Sequence, residues 1–125
     1  MRILEVTNPN TRFKRTSAYK DTYLNKVKPY SSLRAKFREF METKRTDPNE
    51  EFGSSDKPFK TKGSFGTLIP KIKHAHITHD LSIVYLVQGN TIILYGFYTH
   101  DELGTGTPAK INIQKSMARK FKSMK

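Results

Sequence analysis

Residues 81–97 read LSIVYLVQGNTIILYGF, and the way this stretch is read decides the fold. Leu81 to Val87 and Thr91 to Phe97 are rich in β-branched and aromatic side chains, which suit a packed, pleated surface. Gln88, Gly89 and Asn90 join them, a short glycine-containing connection that signals a hairpin. Neither run alternates polar with apolar, so both faces of these strands are expected to be covered. A third strand is expected upstream, from Leu68 to Ile77.

Working outward, the covering layer on one face is expected from the N-terminal part. Between Thr11 and Lys28, Tyr19, Tyr23 and Val27 fall four apart, a helical spacing. Ser31 or Ser32 can cap the next helix, in which Leu33, Phe37, Phe40 and Met41 share one face until Asp47-Pro48 ends it. Arg34, Lys36, Arg38, Lys44 and Arg45 read as lying mostly off that stripe. The two segments form a helical hairpin with an apolar seam and a basic outside. Met1 to Val6 is a short strand candidate, stopped by Asn8-Pro9-Asn10. Residues 47–66, rich in glycine, proline and serine, read as a long loop. There Phe52, Phe59 and Phe65 interleave with Lys57, Lys60 and Lys62. That mixture suits bases stacking on rings and phosphates meeting amines, and equally suits rings that pin a loop to the core beneath exposed lysines. In the tail, Ile113, Met117 and Phe121 are spaced by four among Lys115, Arg119, Lys120 and Lys122, as in a basic amphipathic helix.

At 125 residues, the chain is expected to be one domain with one modest core, folding with about two-thirds of its surface removed from water. No apolar run approaches the ~20 residues needed to cross a bilayer, and the start MRILEVTNPN lacks signal-peptide features. With no cysteine, thiolate metal sites and disulfides are excluded, which fits a reducing compartment. A soluble, cytoplasmic protein is expected. The formal charge is +12 and is unevenly spread. Residues 1–46 hold twelve Lys/Arg against four acids, residues 47–104 five against seven, and residues 105–125 six against none. A polyanion gripped by the flanks, with chemistry in the middle, accounts for this pattern; so does a solvated basic surface that keeps the protein soluble.

Residues 74–80, HAHITHD, hold three of the four histidines. On a strand, Ile72, His74 and His76 share one face while Lys73, Ala75 and Ile77 share the other. His79 and Asp80 then lie in or just after the turn. His-x-His on a strand can ligate metal, but the order His79-Asp80 reverses the metallo-β-lactamase-type signature, and the one remaining histidine is His100; no metal and no cofactor are expected. Acid/base chemistry asks for less: a base, an acid, and positive charge where negative charge develops. RNA carries its own nucleophile in the 2′-hydroxyl. Asp80 can hold one histidine as the cation while lysines push another towards neutral.

SSDKPFKTKG, HAHITHDLSIVY and LYGFYTHDELGTG, in that order between Phe52 and Gly104, resemble the RelE/ParE superfamily of bacterial toxins, and most closely its YafQ-like mRNA interferases. His76 and Asp80 match that branch's H-I-x-x-D pair, and His100 with Leu103 its late histidine motif. Asp56-Lys57-Pro58-Phe59 matches its D-H-P-L turn, with Lys57 where a histidine is usual. Leu81 stands where a tryptophan is common, and Gly104 where an aromatic is.

The resemblance implies an α+β fold: two N-terminal helices packed on a twisted antiparallel β-sheet, the other face of which forms the site; the basic C-terminal tail is extra to it. Residues 1–125 are read as one domain made of a strand and basic helical hairpin (1–46), a loop (47–66), a sheet with the active site (67–104) and the tail (105–125). The resemblance also implies metal-free cleavage of mRNA on the ribosome and neutralisation by an acidic antitoxin. On that basis His76 and His100 are expected to exchange protons, Asp80 to orient or charge one of them, and Lys57, with Lys73, to stabilise the phosphorane. Lys60, Lys62, Lys71, Lys73, His79, Arg119 and Lys120 are expected to meet substrate, and His74 to be a surface or substrate-contact residue. The competing expectation is a non-catalytic nucleic-acid-binding module or a ParE-like, gyrase-directed toxin.

Overall fold

The computed structural model describes residues 11–59 and 63–124. The strand expected at Met1 to Val6, and Lys60 and Lys62, lie outside the described residues. In chain order the elements are β1 (Arg12–Arg15), α1 (Ser17–Thr22) running into a π-helical turn (Tyr23–Val27), α2 (Ser31–Thr46), β2 (Lys57–Pro58), α3 (Ser64–Leu68), β3 (Lys73–His76), β4 (Leu81–Gln88), β5 (Thr91–Thr99), α4 (His100–Leu103) and α5 (Ile111–Ser123). They make an α+β fold around a five-stranded sheet of order β1-β5-β4-β3-β2.

The β4–β5 hairpin is its centre, paired antiparallel from Leu81↔Thr99 to Gln88↔Thr91. Gly89 turns it at φ +61°, a conformation that costs glycine little. The register shifts between Val84 and Tyr85. Near that shift Gly96 has φ +129°, and a Cβ there would come within 2.8 Å of Thr22 Oγ1. Thr22 Oγ1 accepts a hydrogen bond from Phe97 N (3.0 Å), so the missing side chain lets α1 sit against β5.

Both faces of the hairpin are covered, as its apolar character requires. Ile83 and Tyr85 face one way, with Tyr19, Val27, Phe37, Phe40 and Met41 from the N-terminal helices. Val84 and Leu86 face the other, with Phe65 of α3 and Ala118 and Phe121 of α5. The tail is therefore a core element. Its docking closes the sheet face that the resemblance left open for the site, and moves the site to the rim.

Three further expectations change. Thr11 to Arg15 does not begin a helix; β1 pairs parallel to β5, Arg12↔Thr91 to Arg15↔Leu94, so the sheet is mixed at that edge. The strand expected from Leu68 to Ile77 is shorter, because Leu68 closes α3 and β3 starts at Lys73. Lys44, read as off the apolar stripe, lies on it. Positions 37, 40, 41 and 44 share one helical face, and the Lys44 side chain is 0% exposed. Its Nζ meets Asp56 Oδ2 at 2.5 Å, and the Asp56 side chain is equally buried. Asp56 also accepts from Phe52 N (2.7 Å) and from the Tyr85 hydroxyl. Lys44 further donates to the Glu50 carbonyl. Burial pulls Lys44 below the usual lysine range, opposed by its bond to Asp56. This buried node ties the loop after α2 to β4.

Candidate active site

The rim site is assembled from the end of β3, the β3–β4 turn and the start of α4. Thr78 shapes the turn: its Oγ1 accepts from Asp80 N (3.3 Å) and Leu81 N (2.9 Å). Asp80 is thus free of turn-capping duty and reaches across the hairpin. The register Leu81↔Thr99 places it beside His100. Thr99 caps α4 through a reciprocal box, its Oγ1 accepting from Glu102 N (3.2 Å) and its N donating to Glu102 Oε1 (2.9 Å). Glu102 also pairs with Lys26. The cap fixes where His100 emerges.

His100 donates twice to Asp80 Oδ1, from its backbone N at 3.1 Å and its ring Nδ1 at 2.9 Å. A carboxylate only accepts, so Nδ1 carries the proton and Nε2 is left for transfer. These hydrogen bonds, the backbone one first, hold Asp80 below the usual carboxylate range. The His76 ring lies 5.4 Å from that of His100 at an interplanar angle of 75°, and its backbone N–H donates to Ser55 Oγ (3.3 Å). Desolvation, then repulsion from His100, lowers its pKa.

His74 is half-buried and lines the same cavity as Lys57 and His100. Its ring stacks on Phe59 at 4.3 Å and 18°, and Nδ1 is buried with no partner among the described residues. Burial, then the charges of His76 and Lys57, lower its pKa to about 4. Phe59 stacks in turn on Phe65 (4.5 Å), while Phe52 meets Phe40 edge-on (5.5 Å). The three loop phenylalanines pin the chain to the core, and Phe59 and Phe65 also line a cavity.

Lys57 is exposed on β2, opposite His74 in register, and it joins His100 in lining a cavity of about 420 Å³. His76 opens onto a second cavity of about 400 Å³, walled by Lys36, Phe52 and Ser55. Lys73 lies on the other side of β3, where its charge acts on Lys44; strand alternation parts it from the histidine face. Lys71 is exposed in the turn before β3 at φ +68°, and His79 is exposed between His76 and Asp80. Arg119 lines a third cavity of about 280 Å³ together with Lys115, while Lys120 is exposed on α5. The structure thus brings together His76, Asp80, His100 and Lys57. Sequence reasoning placed Asp56 in the turn but missed its buried pairing with Lys44, and it did not single out Gln114, which lines the cavity with Lys57 and His100. Among the described residues no three His, Cys, Asp or Glu side chains are grouped so as to hold a metal ion.

No protein-family model and no curated protein matches the sequence. Solved structures do. YafQ in the Escherichia coli DinJ–YafQ complex superposes with a TM-score of 0.55 at 12% identity, over 75% of this chain and 98% of that one. A metal-bound toxin from Helicobacter pylori gives 0.52 at 19% identity, over 74% and 98%. A copper-bound mutant toxin from the same organism gives 0.51 at 21%, over 74% and 98%.

This chain has the RelE/YafQ-like toxin fold.

The match takes in nearly the whole of each RelE/YafQ-like neighbour and leaves about a quarter of this chain outside it. The likeness lies in the arrangement of the backbone; the side chains that occupy it are this chain's own.

Proposed function

We propose that this protein is a toxin of the toxin–antitoxin type that cleaves mRNA, on the ribosome, by side-chain acid/base catalysis. The observation that carries the reading is the Asp80–His100–His76 arrangement: a histidine oriented by a carboxylate, 5.4 Å from a second histidine whose pKa is lowered. A partly desolvated histidine and one held by a carboxylate can take opposite roles in proton transfer. His76, neutral at physiological pH, removes the proton from the 2′-hydroxyl. The freed oxygen attacks the adjacent phosphorus, and the bond to the 5′-oxygen breaks. His100, oriented through Nδ1, delivers a proton from Nε2 to that oxygen. The products are a 2′,3′-cyclic phosphate and a 5′-hydroxyl. Lys57, beside His100 in the cavity wall, stabilises the charge of the phosphorane. Two of the similar structures hold metal; the roles proposed here belong to the side chains of this chain.

The DinJ–YafQ complexes support an antitoxin partner for this fold, and the basic α2 and α5 suit an acidic one. Expression in cells tests the reading. Rapid loss of mRNA with growth arrest is expected, reduced at least 100-fold in specific activity by His76→Ala or His100→Ala and less by Asp80→Asn. DNA damage with intact mRNA would place the protein with the gyrase-directed toxins instead.

A further inference from the structure

Two of the cavities are parts of one groove. The cavity holding Lys57 and His100 runs between α3 and α5, past Phe59, Phe65 and Gln114. The cavity holding Lys115 and Arg119 also lies between α3 and α5, and Gly63 and Ser64 belong to the walls of both. The two cavities therefore adjoin, with His100 lining one and a pair of cations lining the other. Lys115 and Arg119 are four residues apart and share one helical face, residues 105–125 contain no acid, and both side chains are exposed. Across the groove stand the Ser64 and Thr67 side chains. α5 cannot drift, because Ala118 and Phe121 on its other face are fully buried. At the inner end Gln114 is fixed by a hydrogen bond from its Nε2 to the Gly104 carbonyl (2.8 Å), which orients its amide in a wall shared with the rings of Phe59, Phe65 and His74.

We propose that this groove is a subsite for the RNA strand on one side of the scissile phosphate. One unstacked nucleobase enters the inner cavity, with Gln114 meeting its polar edge, and the phosphate beyond it rests on Lys115 and Arg119. The chemistry at each end matches that division. Cations without bound acids hold phosphate irrespective of sequence, whereas an oriented amide in a concave, ring-lined wall reads a base. The inference rests on the nuclease reading and extends it: Lys115, in place of Lys120, joins Arg119 in contacting substrate, and Gln114 sets preference at one position.

The test is binding of a short single-stranded 2′-O-methyl RNA, which keeps the charge and bases of the substrate but has no nucleophile, to the full chain. Lys115→Ala/Arg119→Ala is expected to weaken binding about tenfold or more at low salt. It should also flatten the slope of log affinity against log salt by about 0.7, the share of the one lost phosphate contact. Gln114→Ala is expected to leave that slope intact and to alter preference at one base position in a randomised pool. Thermal unfolding checks that the variants fold. Unchanged affinity and slope in the double variant would overturn the groove, even in a chain that cleaves RNA. Groove-dependent binding by a chain that cleaves nothing would uphold it and sink the nuclease reading, because the probe cannot be cut.

Discussion

Two histidines two residues apart on β3 share a strand face but not an environment. His76 sits at the rim, close to His100, whereas His74 is stacked on Phe59 with its Nδ1 buried. Its folded pKa of about 4 against the ordinary 6.5 has a consequence for stability. Between those pH values the unfolded chain binds more protons than the folded one, so stability falls as pH drops from about 6.5 towards 4 and levels off below. The full linkage is about 3 kcal/mol, reduced by the partial exposure of the ring to about 1–2. Urea unfolding at pH 7 and at pH 4.5 should show this loss in the wild type and a smaller one in His74→Phe; equal losses would refute the assignment. His76, Asp80 and His100 were legible from strand alternation and from motif order. The burial of His74 was not, since it depends on Phe59, a residue fifteen positions upstream whose loop had no readable shape.

Helices and strands carry a second lesson about charge. α2 brings Lys44 into the core on the same stripe as Phe37, Phe40 and Met41, and Asp56 meets it there from the loop. Removing one member strands the other without water. Lys44→Met should therefore cost about 3–5 kcal/mol in denaturant unfolding, with Lys44→Met/Asp56→Leu recovering part of that loss; a single variant as stable as the wild type would show that the pair is dispensable. Asp56 precedes Lys57, so the node also anchors the strand that carries the proposed phosphorane-stabilising lysine. The α2 stripe and the β4–β5 hairpin were readable because their periodicities are long and apolar. β1 was not: RFKR is a four-residue, mostly exposed edge strand, and backbone pairing to β5, which leaves no side-chain pattern, holds it in the sheet.

For the whole molecule, two basic segments flank a slightly acidic centre in sequence, and folding sets them on opposite faces of the sheet. α1 and α2 cover one face, α3 and α5 the other, and the histidines open at the rim between them. The first layer was legible in the sequence. The second was not, because α3 is five residues within a glycine- and serine-rich stretch, and nothing local to α5 reveals that Phe121 packs against Phe65. No helix of the described residues is long and apolar enough to cross a membrane. The central claim is that a histidine pair and the RNA's own 2′-hydroxyl cut the strand. The most direct measurement is incubation of the purified chain with ribosome-bound mRNA, with analysis of the new ends. The account predicts 2′,3′-cyclic phosphate and 5′-hydroxyl ends, formed at least 100-fold more slowly by His76→Ala and by His100→Ala. Intact mRNA, or cleavage that neither substitution slows, would contradict it.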